Sequence, residues 1–244
     1  MSEAKRHYDQ LLAAHYSWMN GAPLEKKVAE QRALLTDLGL NGGPKGIAVD
    51  LGCGPGYQSF ALIDMGYNAV IAVDTSADLL AELKKARTDS HVKTVLADLR
   101  HFPMLVEQDS VDAIVCMGDT LTHLDERSDV SKLYRDAYAA LAPGGRFVLT
   151  FRDLSQELTG LDRFLSVRAD DQRVMTCVLE YEPECVIVND LIHVREESGW
   201  IFQKSRYRKL RLSPSEQVAE LKRIGFTIDH DRPIDRMHAI SARK

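Results

Sequence analysis

The sequence predicts an α/β fold in which a mostly parallel sheet carries a ligand site at its carboxyl edge. Three observations predict it. Short apolar runs alternate with segments of helical period, the mark of strand–helix–strand units. One run, Ile47 to Leu51, opens into three glycines at alternate positions, Gly52, Gly54 and Gly56, ahead of a helix. The next strand stops at an acid, Asp74, where an open parallel sheet presents its crevice.

The elements follow in order. Residues 3–20 form an amphipathic helix with Tyr8, Leu11, Leu12, His15 and Met19 on one face, ended by Asn20-Gly21. Pro23 suits the first turn of a second helix that stops at Gly39. After the glycine turn come helix 57–65, strand Val70–Val73, helix 76–87 and strand 92–96. Val111 to Met117 is the fourth strand, and helix 128–141 ends in Pro143-Gly144-Gly145 before strand 146–151. Residues 173–212 change character. Val174–Tyr181, Cys185–Val194 and Trp200–Leu212 read as three strands with hairpin-length turns, which force antiparallel pairing. Ser213-Pro214-Ser215-Glu216 starts a helix that ends at Gly225, and Phe226–Asp229 and Met237–Ala242 are the last strands.

Composition narrows the function. The 244 residues suffice for one α/β domain with an insertion, and 45% apolar with 27% charged content is ordinary for a soluble globular chain. A net charge of −5 argues against loose phosphate-backbone binding, so nucleic acid is not the expected partner. No apolar run has membrane-spanning length, and Met-Ser-Glu-Ala-Lys lacks the apolar core of a signal peptide. Cys53, Cys116, Cys177 and Cys185 have no zinc-like spacing, which favours a reduced, cytoplasmic chain with no metal.

The glycine turn carries the chemistry. Tyr57 stands where the dinucleotide fingerprint needs its third glycine, and no Gly-Lys-Ser/Thr follows, so neither that fingerprint nor a P-loop is present. Asp50 at the strand end would repel a diphosphate. It would attract the ammonium and sulfonium of S-adenosylmethionine. The run Asp-Leu-Gly-Cys-Gly-Pro-Gly resembles the glycine-rich motif of class I S-adenosylmethionine-dependent methyltransferases.

That resemblance implies a Rossmann-like seven-stranded sheet with its final strand antiparallel. N-terminal helices 1–40 would lie over the active site. Residues 41–154 and 213–244 would be the cofactor-binding core, and 155–212 an inserted antiparallel three-stranded lid that can carry a homodimer interface. Cofactor contacts are expected from Asp50, Gly52, Cys53, Gly54, Gly56, Thr75 and Met117. Asp74 would take both ribose hydroxyls; its other reading is a helix cap, a task open to Thr75 and Ser76. Asp98 and the Leu99 backbone would face adenine. S-adenosyl-L-homocysteine would be the product.

For the acceptor side, Gly118-Asp119-Thr120-Leu121-Thr122-His123-Leu124 resembles the loop of glycine N-methyltransferase and its relatives. It lacks the Pro-Pro motif of base-amine methyltransferases and the Pro-Cys pair of cytosine C5 enzymes. His123 is the expected proton acceptor by type, with Asp119 orienting it or holding an ammonium. Capping of a turn is the other role for this loop. Arg152 stands where an arginine of the glycine methyltransferase group grips a carboxylate, or else pairs with Asp153 or Asp50. Tyr8, His15, Tyr16 and Trp18 either roof the cofactor or simply cover the sheet. Lys204, Arg206, Arg208, Lys209 and Arg211 read as a solvated strand edge or as an anion-binding rim. The expected activity is methyl transfer to a small polar molecule, more on nitrogen than oxygen, with a carboxylate an open feature. RNA or protein methylation, and cofactor binding without catalysis, are the alternatives. Decarboxylated or carboxylated forms of the cofactor fit similar cradles.

Overall fold

A computed structural model describes residues 2–41 and 45–244 of the chain. The central sheet has seven strands: β1 (Ile47–Leu51), β2 (Ala69–Asp74), β3 (Val92–Leu96), β4 (Val111–Cys116), β5 (Leu141–Phe151), β10 (Thr227–Ile234) and β11 (Met237–Arg243). Their spatial order is β10-β11-β5-β4-β1-β2-β3. Neighbours from β5 to β3 pair in parallel, while β11 runs antiparallel to both β5 and β10. β11 alone is reversed. The strand order switches direction at β1, between β4 and β2, the crevice position expected for a ligand.

Each face of the sheet is covered, which is why its strands read as apolar runs rather than alternating ones. On one side α3 (Leu24–Asp37), α4 (Tyr57–Asp64) and α5 (Ala77–Ala86) bury Leu35, Phe60 and Leu83 against Ala48, Val70 and Val115. On the other, α6 (Arg127–Ala140) and α7 (Pro214–Ile224) bury Tyr134 and Leu221 against Ile114, Phe147 and Ile240. Burying one such side chain fully contributes about 1.5–3 kcal/mol. Ser76 caps α5, accepting from Leu79 N at 3.3 Å. Ser213 precedes α7 without a capping bond; its hydroxyl meets Ser215 Oγ at 2.8 Å instead.

Three expectations are corrected. The segment 3–20 is not one helix. It runs as α1 (Glu3–His7), a π-turn over Tyr8–Leu12, a 3-10 turn over Ala13–His15 and α2 (Tyr16–Asn20). With one wide and one tight turn in the segment, Tyr8 and Tyr16 both line the sheet's crevice. The lid has four strands, not three: β6 (Phe164–Ala169), β7 (Arg173–Tyr181), β8 (Cys185–Glu196) and β9 (Gly199–Leu210), antiparallel in that order. β6 escapes sequence reading because it is a half-exposed edge with a bulge at Ser166/Arg168, so its apolar alternation is broken. β5 begins at Leu141, which pairs with Val111, so the Pro143-Gly144-Gly145 stop and the strand expected from 146 lie within one strand, with a register shift across the glycines.

The lid's inner face packs on the N-terminal segment. Leu11 and Leu12 meet Met175 and Ile192, and Ala4 joins Leu179, Val186 and Tyr207. Trp18 is flanked by the guanidinium groups of Arg168 and Arg173, each 5.3 Å from its ring. Roof and lid are thus joined to each other.

Candidate active site

One cavity of about 960 Å³ lies between the carboxyl ends of the sheet strands, the N-terminal segment and the lid. That is the upper end of the range of about 300–1,000 Å³ that holds a drug-sized ligand, so two small molecules can share it. Every parallel strand end reaches it: Gly52 after β1, Asp74 and Thr75 after β2, Asp98 and Leu99 after β3, Met117 to Asp119 after β4, and Arg152 after β5.

The sheet wall is built mainly by backbone. Gly52 N and Cys53 N donate to Val73 O at 2.8 and 3.0 Å, tying the glycine turn to β2. Gly52, Gly54 and Gly56 all have positive φ. A Cβ on Gly52 would strike the Thr120 side chain, and one on Gly56 would lie 2.6 Å from Leu83 Cγ. Only glycine suits both positions. The Asp74 carboxylate accepts Gly54 N on Oδ2 and Ser76 N on Oδ1, each at 2.8 Å. Each oxygen keeps a lone pair, so the group still has room for a diol. Burial pushes the Asp74 carboxyl up, against the pull of those N–H groups. The N-terminal Lys5 reaches Thr75 O at 2.9 Å.

Asp98 is less free than expected. Arg100 donates to it from its backbone N (2.9 Å), Nε (3.0 Å) and a terminal nitrogen (2.7 Å), holding its carboxyl below the usual range against the effect of burial.

Three residues assigned to direct cofactor contact do not line the cavity: Asp50, Cys53 and Gly56. Asp50 lies beneath the turn, where Ser59 Oγ donates to it at 2.6 Å. Burial pushes its carboxyl up to about 7. Its position on a fully buried strand, one residue before the turn, sends its side chain into the α4 layer.

The lid wall is built by side chains. Asp119 Oδ1 accepts from Thr122 Oγ1 and Arg152 N, each at 3.1 Å. Its Oδ2 pairs with Lys209 and, at 3.2 Å, with Arg152 Nε. Burial would push this carboxyl up; Lys209 and Arg152 outweigh it and hold it well below the usual carboxylate range. Arg152 therefore pairs with Asp119, rather than with Asp153 or Asp50. Lys209 is buried, although its strand reads as a solvated edge. Arg211 is likewise engaged, with Glu157 at 2.7 Å. Two of the five bases that suggested a charged rim are thus neutralised.

His123 sits in an aromatic cage, its ring 5.8 Å from Tyr8 and 5.4 Å from Tyr207. Burial, helped by Lys209, pushes its pKa down to about 3. Burial thus favours the neutral imidazole. Its buried Nε2 meets no hydrogen-bond partner among the described residues. Asp119 spends its oxygens on Lys209, Arg152 and Thr122, and does not orient this ring.

Tyr8 and Tyr16 line the cavity, as a roof would. His15 and Trp18 do not; they bond Gln203 and Asp170 of the lid. Sequence reading missed Tyr207, Asp190 and His7. Asp190 breaks the inward apolar row Val186, Val188, Ile192 of β8, a period-two signal that could have marked it. Among the described residues, no group of three or more His, Cys, Asp or Glu could hold a metal, and no helix is long and apolar enough to cross a membrane.

Comparison with known proteins agrees with this geometry. Residues 48–145 match the family model described as a methyltransferase domain. A glycine/sarcosine N-methyltransferase of Halorhodospira halochloris is 33% identical over 107 residues, 43% of this chain and 39% of that protein. The match thus spans about two fifths of the length of that curated relative. A solved methyltransferase of Streptomyces caelestis superposes with a TM-score of 0.75 at 22% identity, over 97% of both chains. An amino pentose methyltransferase of Micromonospora echinaspora, solved with S-adenosylmethionine bound, gives 0.74 at 16% identity over 96% of both chains. Residues 48–145, which carry the glycine turn and strands β1 to β4, are thus similar to a methyltransferase domain, and the chain shares its fold with solved methyltransferases.

Proposed function

We propose that this chain is an S-adenosylmethionine-dependent methyltransferase that transfers a methyl group to nitrogen of a small molecule. The observation that carries the reading is one cavity joining two walls: a glycine turn with Asp74, and a buried aromatic cage around an unpartnered His123 Nε2. When bound, S-adenosylmethionine supplies an electrophilic methyl on a sulfonium.

The chain's own residues do the rest. Gly52 and Gly54 keep the turn clear of side chains, and the spare lone pairs of Asp74 take the ribose hydroxyls. Asp98, Leu99 and Met117 border the adenine end. Tyr8, Tyr16 and Tyr207 exclude water, and a dry site lowers the pKa of an amine, so its lone pair is available for in-line attack. His123 Nε2, neutral at pH 7, accepts a hydrogen bond from the amine N–H and aims that lone pair. Arg152 uses Nε on Asp119, which leaves its outer edge for an anionic group of the acceptor. A cytoplasmic location and a homodimer through the lid belong to the same proposal; Trp200 and Phe202 stand exposed on the outer strand.

The test is incubation of the full chain with methyl-labelled S-adenosylmethionine and a pool of small amines. Label is expected in an N-methyl product. His123→Phe should cut transfer roughly tenfold or more while S-adenosylhomocysteine binding stays within about twofold. Label on oxygen, or no transfer to any amine, would reject the reading.

A further inference from the structure

The lid holds a carboxylate that the scheme above does not use. Asp190 lies on the inner face of β8, buried, in register with Cys177 of β7 and Ser205 of β9. Its nearest neighbours along that face are Val188 and Ile192. A carboxylate in an apolar row costs several kcal/mol unless it is bonded. The bond comes from the roof: His7 Nε2 lies 2.9 Å from Asp190 Oδ2, with both side chains essentially out of water. That contact is the hydrogen bond His7 makes, since its other ring nitrogen, the buried Nδ1, has no partner among the described residues. The His7 ring is clamped in turn, stacked on Tyr207 with centroids 4.2 Å apart. Oδ2 is thus fixed by a residue 183 positions away, and the residue lines the cavity beside Cys177 and Tyr207. A bare apolar contact between roof and lid would cost less. The arrangement keeps an oriented carboxylate on the cavity wall.

A second observation concerns the same wall. Beyond Asp190 the lid side of the cavity carries an apolar stretch, Met175, Leu179, Leu165, Phe164 and Leu158, interrupted by Ser166, with Lys209 turned to Asp119. Phe164 and Leu158 are exposed at its rim, 52% and 38% accessible. An acceptor as small as an amino acid would leave this sleeve in water.

We infer that the acceptor is amphipathic, with a cationic group, distinct from the neutral nitrogen that takes the methyl, anchored on the Asp190–His7 pair and an apolar body lying along the sleeve. The inference rests on the methyltransferase reading and deepens it. His7 is a positioning residue: it touches Asp190 and not the acceptor. Asp190 discriminates by charge, and the sleeve by apolar area.

The experiment uses n-hexylamine and its neutral counterpart 1-hexanol as probes, titrated calorimetrically into the full chain saturated with S-adenosylhomocysteine. Hexylamine should bind, and more tightly than hexanol. Asp190→Asn, which keeps the shape, should weaken hexylamine roughly tenfold or more and leave hexanol within about twofold. His7→Gln should give an intermediate loss. The S-adenosylhomocysteine affinity of Asp190→Asn should stay within about twofold of the parent, and its unchanged hexanol binding reports an intact sleeve; a purely structural role would weaken hexanol as much as hexylamine. Hexylamine that fails to bind, binds no better than hexanol, or binds equally to Asp190→Asn would overturn the inference. If S-adenosylhomocysteine itself does not bind, the methyltransferase reading has failed instead, so the two failures are separable.

Discussion

The two walls of the cavity are made of different material. The sheet wall is largely backbone: glycine N–H groups, strand ends, and the Asp74 carboxylate, whose partners are amides within 20 positions. The lid wall is side chain: Asp119 with Lys209, 90 positions apart, and His7 with Asp190, 183 apart. A backbone site is rigid as soon as its strands pair. A side-chain site exists only once roof, lid and sheet have all docked. The sheet wall is therefore suited to one invariant ligand, and the lid wall to one that varies with the side chains offered.

The comparison can be broken most sharply at Lys209. Lys209→Met should leave Asp119 with only the half-exposed Arg152, and removing one partner of a buried pair costs about 3–5 kcal/mol. Thermal unfolding should show that loss, with S-adenosylhomocysteine affinity little changed. An unaltered midpoint would mean the lid is not held through Asp119. Next comes Gly56→Ala. At φ +91° with Leu83 Cγ 2.6 Å from the new Cβ, it should cost about 1–3 kcal/mol and weaken the cofactor as well. Gly118→Ala, whose Cβ meets nothing within 4 Å, should cost less; equal effects would deny that the turn's packing matters.

The effect that accrues most gradually is in pH dependence, where two buried carboxylates, one beneath the glycine turn and one beside the lid, have opposite sign. Asp50 titrates near 7 in the folded protein, above its ordinary range, so the native state holds that proton more tightly than the unfolded chain. Stability from this group falls as pH rises from about 4 to 7, by up to about 1.4 kcal/mol per pH unit. Asp50→Asn should flatten that window in urea titrations. Asp119 is depressed, so its contribution is present above the ordinary carboxylate range and lost only as pH falls below it.

The same division explains what the sequence makes legible. Asp-Leu-Gly-Cys-Gly-Pro-Gly announces the sheet wall because its geometry is local: one strand, one turn, one helix start. The seven-stranded sheet and its reversed final strand, β11, follow from the family resemblance and are found. Asp50 misleads, because an acid beside a glycine turn reads as a ligand contact, and only the pleat direction shows it facing Ser59. Lys209 misleads in the opposite sense. In a run of five bases it reads as solvated, yet alternation puts it on the inward side with Tyr207. His123 is legible by residue type, but its state depends on Tyr8, Lys209 and Tyr207, which approach it from two other elements, the N-terminal π-turn and β9.

The central claim is that the sheet wall holds S-adenosylmethionine through Asp74. Its most direct test is calorimetric titration of the full chain with S-adenosylmethionine and S-adenosylhomocysteine, beside Asp74→Ala. Micromolar binding of both ligands, weakened about a hundredfold in a variant that stays folded, is the predicted result. No binding to the parent chain, or equal binding to both proteins, would contradict it.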